Sequence, residues 1–328
     1  MTPDDPDLRA LLAYAARIGR DPALVQGAGG NVSLKRDGVL WVKASGTWLA
    51  HADERDILVP VLIAPLLAVL DGEEAEHAER FVPAHLNPSG LRPSIETTFH
   101  AALPHRVVVH VHGVETLAWA VRSDAETALS APLAGLAWCF VPYVRPGPPL
   151  TRLILDRMAP GTSVVVLGGH GLIVGADTVA AAGALLDEVA RRLRRPARPA
   201  PAPDRERLHA LAAGTDYRPA DDPAAHATAL DAHRLAAARA GSLYPDHVIF
   251  LGPGIAEAPG RRPMWVAPGA GVLLREDASA GAHALARCLA DVTARLVPGD
   301  PLAVLTPAQE AELLGWDAEQ YRQAIDRP

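Results

Sequence analysis

The chain has 328 residues, a formal net charge of -7 and 49% apolar residues. Its length allows one large or two modest domains, its acidic balance argues against a nucleic-acid partner, and no apolar run approaches the ~18 residues of a membrane span. The N-terminus carries no readable secretion signal, and Cys139 and Cys288 lack a metal or redox spacing. We therefore expect a protein of the reducing cytoplasm that binds neither nucleic acid nor membrane.

The N-terminal part of the chain predicts a helix followed by a β-hairpin. Apolar residues recur with a helical period over residues 7–20. A glycine-rich loop at residues 27–31 precedes predicted strands at 32–35 and 39–43, which are joined by the turn Asp37-Gly38. The apolar segment that follows, 57–70, predicts a short strand and then a helix.

The glycine-rich loop has two interpretations. It is not a Walker motif, because no Lys-Ser or Lys-Thr follows its last glycine, and it does not follow a strand as a dinucleotide fingerprint must. Its backbone N–H groups could still cradle a small anion, together with the Asn31 amide and the Ser45 hydroxyl. The alternative is a pair of tight turns, which glycine and serine also favour.

A carboxylate and two histidines lie in one central segment. Ser94 is placed as a helix N-cap with Glu96 in the first turn of a helix over 94–103, where the helix dipole favours a negative charge. A β-branched run then ends in His110 and His112, whose side chains leave the same face of the predicted strand and start about 6 to 7 Å apart. We expect the sharp turn between helix and strand to bring Glu96 back beside these imidazoles.

A third histidine follows a second buried strand. The run 163–167 leads into His170, which lies in a glycine-rich turn with room for a ligand beside it. Three neutral imidazoles with one carboxylate, or with substrate in the fourth place, are the ligands of a catalytic zinc site. The alternative is structural, because a lone strand histidine is usually a hydrogen-bonded core residue and a first-turn glutamate is usually a partner of the helix dipole.

The remaining chain predicts a linker and a smaller domain. Proline and alanine dominate residues 196–203, which predict an extended linker, and the arginines before it are interpreted as a solvated helix end in preference to an anion site. No Gly-x-Gly-x-x-Gly lies between a strand and a helix, so oxidoreductase chemistry is not expected. Beyond the linker the pattern predicts helices at 204–213, 223–240 and 280–296, strands at 247–251, 264–266 and 271–275, and a last helix to Ala324 opened by a capping box at Thr306 to Gln309.

Four blocks of residues, in order, resemble the class II aldolase/adducin family, the group of L-fuculose-phosphate aldolase and L-ribulose-phosphate 4-epimerase. The blocks are Gly27-Ala28-Gly29-Gly30-Asn31-Val32-Ser33, Lys43-Ala44-Ser45-Gly46, Pro93-Ser94-Ile95-Glu96 with Phe99-His100, and His110-Val111-His112 with Gly169-His170-Gly171-Leu172-Ile173. The resemblance implies an α/β fold class, with three α/β/α layers around a mostly antiparallel sheet, and a homo-oligomer that is a cyclic tetramer in that family. The resemblance covers roughly residues 8–195, so we expect the metal-binding domain at 1–195, followed by the linker at 196–203. The smaller α+β domain at 204–328 resembles the segment that trails the aldolase domain in longer rhamnulose-phosphate aldolase/dehydrogenase-like proteins.

The resemblance also implies roles for individual residues. It makes Glu96 a metal ligand before substrate binds and the general base afterwards. The other ligands of Zn²⁺, or of another divalent metal, are His110, His112 and His170. The substrate phosphate is assigned to Gly30, Asn31, Ser45, Gly46 and Ser94. Hydroxyls that are usual in the family are missing at Ala28, Gly29 and Ile95, and each lost charge-assisted bond is worth roughly 1.5 to 3 kcal/mol, so either the anion is held more weakly or the substrate lacks a phosphate.

The function predicted from these residues is that of a zinc-dependent aldolase. Such a lyase cleaves a sugar-derived ketose, with a ketose phosphate preferred, through a metal-bound enediolate. One alternative is an epimerase, decarboxylase or dehydratase of the same family, since each passes through a metal-bound enolate. Another is a non-catalytic binding module like the adducin head, which lacks the metal histidines. The presence of three histidines together with Glu96 favours an enzyme.

Overall fold

The computed structural model describes residues 5–325 and separates into two compact units. No helix among these residues is both long and apolar enough to cross a membrane. The first unit contains the residues up to Gly113 together with Ser130–Leu167 and Gly171–Arg192, and the second contains Val114–Leu129, Gly168–His170 and the residues from Leu193 onward.

A seven-stranded sheet forms the centre of the first unit, with strand order β3-β2-β1-β4-β7-β6-β5. The strands are β1 (Asn31–Arg36), β2 (Val39–Lys43), β3 (Leu58–Leu62), β4 (Val107–Val111), β5 (Trp138–Val141), β6 (Val164–Leu167) and β7 (Gly171–Ala176). Strands β5 and β6 pair in parallel, while the other neighbours in this sheet pair antiparallel. The predicted hairpin is present, with Asp37 and Gly38 both at positive φ between β1 and β2.

Helices cover this sheet in two layers. The helices of this unit are α1 (Pro6–Gly19), α2 (Ile63–Ala68), α3 (Thr97–Ala102), α6 (Pro148–Arg157) and α7 (Val179–Arg192). Helices α1 and α7 pack together against β1, β4 and β7. On the other face Phe99 of α3 packs with Ile154 of α6 and with Val108 of β4 in one buried cluster. The predicted fold class, a three-layer α/β/α domain with a mostly antiparallel sheet, is confirmed.

The register of the central strands brings polar residues of β1 and β4 together. Asn31 pairs with His110, and Ser33 pairs with Val108. Paired residues share a face of the sheet, so all four side chains lie on the face covered by α3. The Phe99 ring meets the His110 ring edge-on, with the centroids 5.7 Å apart. The start of β1, the end of β4 and the start of α3 therefore meet in one buried corner.

Helix α3 begins later than the sequence predicts. It starts at Thr97, with Glu96 in the N-cap position, so the prediction of Ser94 as N-cap is wrong. The cause is that the chain is still extended at Ser94, whose backbone N–H donates to the carbonyl of Lys43 at 3.0 Å. The Ser94 hydroxyl instead accepts the Glu96 N–H at 3.2 Å. Glu96 therefore lies at the N-terminus of α3, beside β1.

The second unit combines helices with a three-stranded antiparallel sheet of order β8-β10-β9. Its strands are β8 (Tyr217–Pro219), β9 (Met264–Ala267) and β10 (Gly271–Arg275). Its helices are α4 (Val114–Ala120), α5 (Ala125–Leu129), α8 (Arg205–Ala212), α9 (Ala227–Leu230), α10 (Ala232–Arg239), α11 (Pro245–Leu251), α12 (Ala280–Arg295), α13 (Pro307–Gly315) and α14 (Asp317–Ile325). The predicted capping box at Thr306 is confirmed, but the helix it opens breaks at Trp316.

The strand predicted at 247–251 is wrong, because these residues belong to α11. Pro245 occupies its first helical position, where a missing N–H costs nothing, and Asp246 lies in the first turn. All seven residues of α11 are buried, so the apolar run carries no periodicity to distinguish a strand from a buried helix. The predicted domain boundary stays a prediction. Residues 194–204 contain no helix or strand, yet the Arg198 N–H donates to the Ala294 carbonyl at 3.0 Å within the second unit.

Candidate metal centre

Two imidazoles face each other at the end of β4. His110 is fully buried and His112 is 7% exposed, and their Nε2 atoms lie 3.1 Å apart. The Nδ1 of His110 lies 3.0 Å from the carbonyl oxygen of Leu172. A carbonyl only accepts, so Nδ1 carries the proton of the neutral ring and Nε2 presents its lone pair to His112. A backbone bond of this kind is how proteins fix the tautomer and orientation of a metal-binding histidine.

His170 completes a cluster of three histidines. It lies in the turn between β6 and β7 and is 5% exposed. One ligand atom from each of His110, His112 and His170 lies within 4.8 Å of the other two. Zinc–nitrogen bonds of about 2.0–2.1 Å place tetrahedral ligands roughly 3.3 Å apart. The 3.1 Å between the two strand imidazoles meets that spacing, so this donor set fits a divalent cation of the zinc type.

Gly171 leaves the space in which these rings lie. A Cβ at this position would stand 2.5 Å from the Val111 carbonyl oxygen, 3.2 Å from Cε1 of His110 and 3.2 Å from Cδ2 of His112. The first distance is too short for any side chain. At the other two distances a Cβ would crowd the rings of His110 and His112. The glycine that follows His170 therefore shapes the cluster itself.

Glu96 lies against the cluster and is held there by an amide. Its Oε2 is 3.4 Å from Nε2 of His110. The same oxygen accepts a hydrogen bond from Nδ2 of Asn31 at 2.8 Å, and that amide also donates to the Ser94 hydroxyl at 3.2 Å. Glu96 is 5% exposed and Asn31 is 4% exposed. The carboxylate thus lies next to one of the three imidazoles, while the ligand atoms that lie within 4.8 Å of one another are those of the histidines alone.

The residues assigned to a substrate phosphate occupy three segments, at residues 30–31, at 45–46 and at Ser94. Gly30 has φ of +62°, and a Cβ there would stand 2.9 Å from the His110 carbonyl oxygen, so glycine lets the loop approach β4. The Ser45 N–H donates to the Arg92 carbonyl oxygen at 2.9 Å, and Gly46 follows with φ of +75°. Both amide hydrogens of Asn31 are directed at Ser94 and Glu96. In this arrangement Asn31 orients the carboxylate, while its role toward an anion stays a prediction.

Comparison with known proteins identifies the family of this domain. The sequence profile of the family described as class II aldolase and adducin N-terminal domain matches residues 10–195. The chain belongs to the class II aldolase and adducin family. The fold is similar to that of the N-terminal class II aldolase domain of a conserved Thermoplasma acidophilum protein. The match has 27% identity and a TM-score of 0.50 and covers 59% of this chain and 94% of that one.

Two further relatives are more distant or match only in part. A Bacillus subtilis (strain 168) protein described as the uncharacterized oxidoreductase YuxG is 30% identical over 174 residues, which are 49% of this chain and 25% of that protein. The chain thus matches about a quarter of that relative's length. An L-fuculose 1-phosphate aldolase structure matches at 16% identity and a TM-score of 0.39, covering 58% of this chain and 84% of that one.

Two buried polar residues of this class II aldolase domain lie beside the predicted site without having been assigned a role there. His100 is fully buried in α3, and burial lowers its pKa to about 3. Lys43 is 2% exposed and donates from Nζ to the Ala28 carbonyl at 2.8 Å, which ties β2 to the glycine loop. The available signal for His100 was its position four residues after Glu96, on the same side of a predicted helix.

Proposed function

We propose that this chain is a divalent-metal-dependent lyase that cleaves a carbon–carbon bond in a sugar-derived ketose. The observation that carries the proposal is the convergence of three buried imidazoles with a carboxylate 3.4 Å from one of them. A non-catalytic module has no need for such a group, since clustering buried ionisable side chains costs stability unless a partner compensates. Membership of the class II aldolase and adducin family supports the same reading.

The proposed mechanism divides the work between the histidines and Glu96. His110, His112 and His170 would hold the ion, and Glu96 would complete the set until substrate enters. When bound, a zinc ion supplies Lewis acidity that polarises the substrate carbonyl next to the bond to be broken. In cleavage Glu96 would take the proton from the hydroxyl of the carbon that becomes the aldehyde and pass it to the carbon of the ketone fragment, and in condensation it would move the same proton in reverse. The Asn31 amide keeps the carboxylate directed at that carbon.

A ketose phosphate is the substrate class that we propose first. The support comes from the sequence resemblance at Gly30, Asn31, Ser45, Gly46 and Ser94, and from the contact of Asn31 with Ser94 beside the carboxylate. The engagement of both Asn31 amide hydrogens favours, as the second candidate, a ketose without phosphate. We also propose a homo-oligomer, for which the resemblance predicts a tetramer, to be measured by sedimentation velocity. A cytoplasmic location is a proposal too, and neither cysteine forms a disulfide.

The first experiment measures the metal in the purified protein by elemental mass spectrometry. We expect about one zinc per chain in the parent and none in the variant His110→Ala. The control is His85→Ala, because His85 is an exposed histidine in an exposed turn and its removal should leave the zinc in place. Ketose phosphates and the corresponding free ketoses are then assayed for aldehyde release. A parent that takes up no divalent metal, even after reconstitution, would make the lyase proposal wrong.

The product distinguishes the reactions within the family. Aldehyde release at a rate that depends on the metal supports cleavage. Conversion of the sugar to an epimer, loss of carbon dioxide or loss of water would instead assign an epimerase, a decarboxylase or a dehydratase. Each product is detected by proton and carbon NMR of the same reaction mixture.

A further inference from the structure

A chain of buried hydrogen bonds runs from β1 through α3 to the carboxylate of Glu96. The Ser33 hydroxyl lies 2.7 Å from Nδ1 of His100, and Nε2 of His100 contacts Oδ1 of Asn31. The Asn31 amide then donates to Oε2 of Glu96 at 2.8 Å. Ser33 and His100 are fully buried. These hydrogen bonds therefore lie in the interior, where hydrogen bonds are strong and an unsatisfied polar atom is costly.

The direction of each bond follows from the groups at the two ends. An ionised carboxylate only accepts, so the Asn31 NH₂ must face Glu96 and its Oδ1 must face His100. Nε2 of His100 therefore carries the proton and donates to Oδ1. The neutral ring then has a lone pair on Nδ1, which accepts from the Ser33 hydroxyl. Burial keeps the His100 ring neutral by lowering its pKa to about 3. With this one tautomer, each donor in the series of hydrogen bonds from Ser33 to Glu96 faces an acceptor.

Asparagine alone does not have a preferred orientation of its amide. A half-turn about its terminal torsion exchanges the oxygen and the nitrogen with little change of shape. In the turned orientation Oδ1 would point at the Glu96 carboxylate, and two acceptors would face each other. A donor fixed on the other side of Asn31 prevents that exchange, and His100 is that donor.

We propose that His100 is a positioning residue, which acts through Asn31 to hold the Glu96 carboxylate in the geometry of the metal centre. The proposal rests on the function proposed above for Glu96, and it makes His100 neither a ligand nor a base. The competing explanation is that His100 merely fills the core, where its ring stacks on Phe99 with centroids 4.5 Å apart. Packing alone would require neither a particular tautomer nor Ser33.

The tautomer is measured directly by long-range proton–nitrogen correlation NMR of the nitrogen-15-labelled, metal-free protein at pH 7. We expect His100 in the neutral Nε2–H form. The variant Ser33→Ala keeps the ring, its packing and the Asn31 acceptor, so we expect the Nε2–H form to be retained there. A parent in which His100 carries its proton on Nδ1, or is cationic, would overturn the proposal. This measurement involves neither zinc nor catalysis.

The effect on the metal centre is measured as zinc affinity by competition with a chelator. We expect His100→Leu to weaken zinc binding about 10- to 100-fold, as is usual when a group supporting a ligand is removed. The conservative variant His100→Gln, whose amide can replace the Nε2–H donor, should recover most of that loss. The control is Thr98→Val, which removes another buried hydrogen bond of α3, the 2.7 Å contact with Thr151, without touching Asn31.

The outcomes separate this proposal from the proposed function. Equal zinc affinities for His100→Leu and Thr98→Val, in a parent that binds zinc, would overturn the positioning role and leave the lyase proposal intact. If His100→Leu fails to fold, His100→Phe takes its place, with the same expected loss of about 10- to 100-fold in affinity, because it keeps a ring in the core and removes the donor to Asn31. A parent that binds no zinc would refute the proposed function, and the positioning of a metal ligand with it, whatever tautomer His100 adopts.

Discussion

Buried histidines occur in both units of the molecule, and their ring nitrogens have different hydrogen-bond partners. In the second unit His226 donates from Nε2 to the Ala220 carbonyl at 3.0 Å and accepts at Nδ1 from the Val272 N–H at 3.0 Å. His247 likewise donates from Nε2 to the Gly254 carbonyl at 2.9 Å. These rings act as cross-links between backbone segments. His110 gives only one nitrogen to the backbone and turns the other toward another imidazole.

The buried carboxylates show the same contrast. In the second unit Asp246 and Glu319 both accept from Arg322, so the charges are compensated within the protein. In the first unit Glu96 accepts from the Asn31 amide and lies beside the His110 imidazole. Burial alone therefore does not identify a functional group. The useful criterion is whether the polar atoms of several buried side chains converge on one another rather than on the backbone.

The largest effect is expected when the carboxylate loses its ability to carry a proton. Glu96→Gln preserves the shape and leaves the three histidines, so we expect zinc to be retained while cleavage of a ketose that the parent accepts slows about 10²- to 10⁴-fold. Zinc content and cleavage rate are measured on the same sample. The control is Glu79→Gln on the exposed surface. Unchanged turnover in Glu96→Gln would show that another group moves the proton.

The cross-linking histidines should behave in the opposite way. His226→Ala removes a fully buried ring and leaves the Val272 N–H and the Ala220 carbonyl unsatisfied. We expect the free energy of unfolding to fall by about 3 kcal/mol, the sum of a cavity and lost hydrogen bonds, while zinc content stays at the parent's level. Urea denaturation and elemental analysis measure the two quantities. Loss of zinc with unchanged stability would contradict the division drawn here.

A methyl group at Gly171 tests whether the space beside the rings matters. Gly171→Ala brings a Cβ to 2.5 Å from the Val111 carbonyl and 3.2 Å from atoms of both strand imidazoles. We expect zinc affinity to fall about 10- to 100-fold, because displaced ligands lose their common centre. The control is Gly260→Ala, where a Cβ would meet nothing within 4 Å. Equal affinities in the two variants would show that the cluster relaxes around the methyl group.

Much of this architecture was predictable because it depends on local spacing. The Asp37-Gly38 turn sets a hairpin by its own backbone preferences, and the alternation of side chains along β4 places Val108 and His110 on one face. The capping box at Thr306 is likewise a contact within four residues. The resemblance to a family supplied the fold class, which residue patterns alone did not.

What the sequence did not predict depends on contacts between distant segments. The role inferred for His100 needs Asn31 opposite His110, a register that is set by pairing β1 with β4 across more than 70 intervening residues. The edge strand β5 is only four residues long, which is too short for a periodic signal. The helix α11 was mistaken for a strand because burial on all sides removes the periodicity that separates the two.

The smallest effect expected is a pH dependence of stability that both units share. Burial lowers the pKa of His247 to about 4 and that of His100 to about 3, against about 6.5 for a histidine in an unfolded chain. Below pH 6.5 these two histidines bind protons in the unfolded chain but stay unprotonated in the folded one. The free energy of unfolding therefore falls as the pH drops from 6.5 toward 4 for His247 and toward 3 for His100, and neither contributes a pH dependence above 6.5.

The contribution of one histidine to this effect can be measured by replacing its ring. Between pH 7 and pH 5.5 each buried histidine should remove about 1 kcal/mol from the free energy of unfolding, measured by urea denaturation of the metal-free protein. His247→Gln keeps a hydrogen-bonding side chain that does not titrate, so we expect its stability to fall less over this range. The exposed control His85→Gln should follow the parent. If His247→Gln lost as much stability as the parent, protonation of its ring would already be accommodated in the folded chain, and His247 would be a weaker cross-link than its contacts indicate.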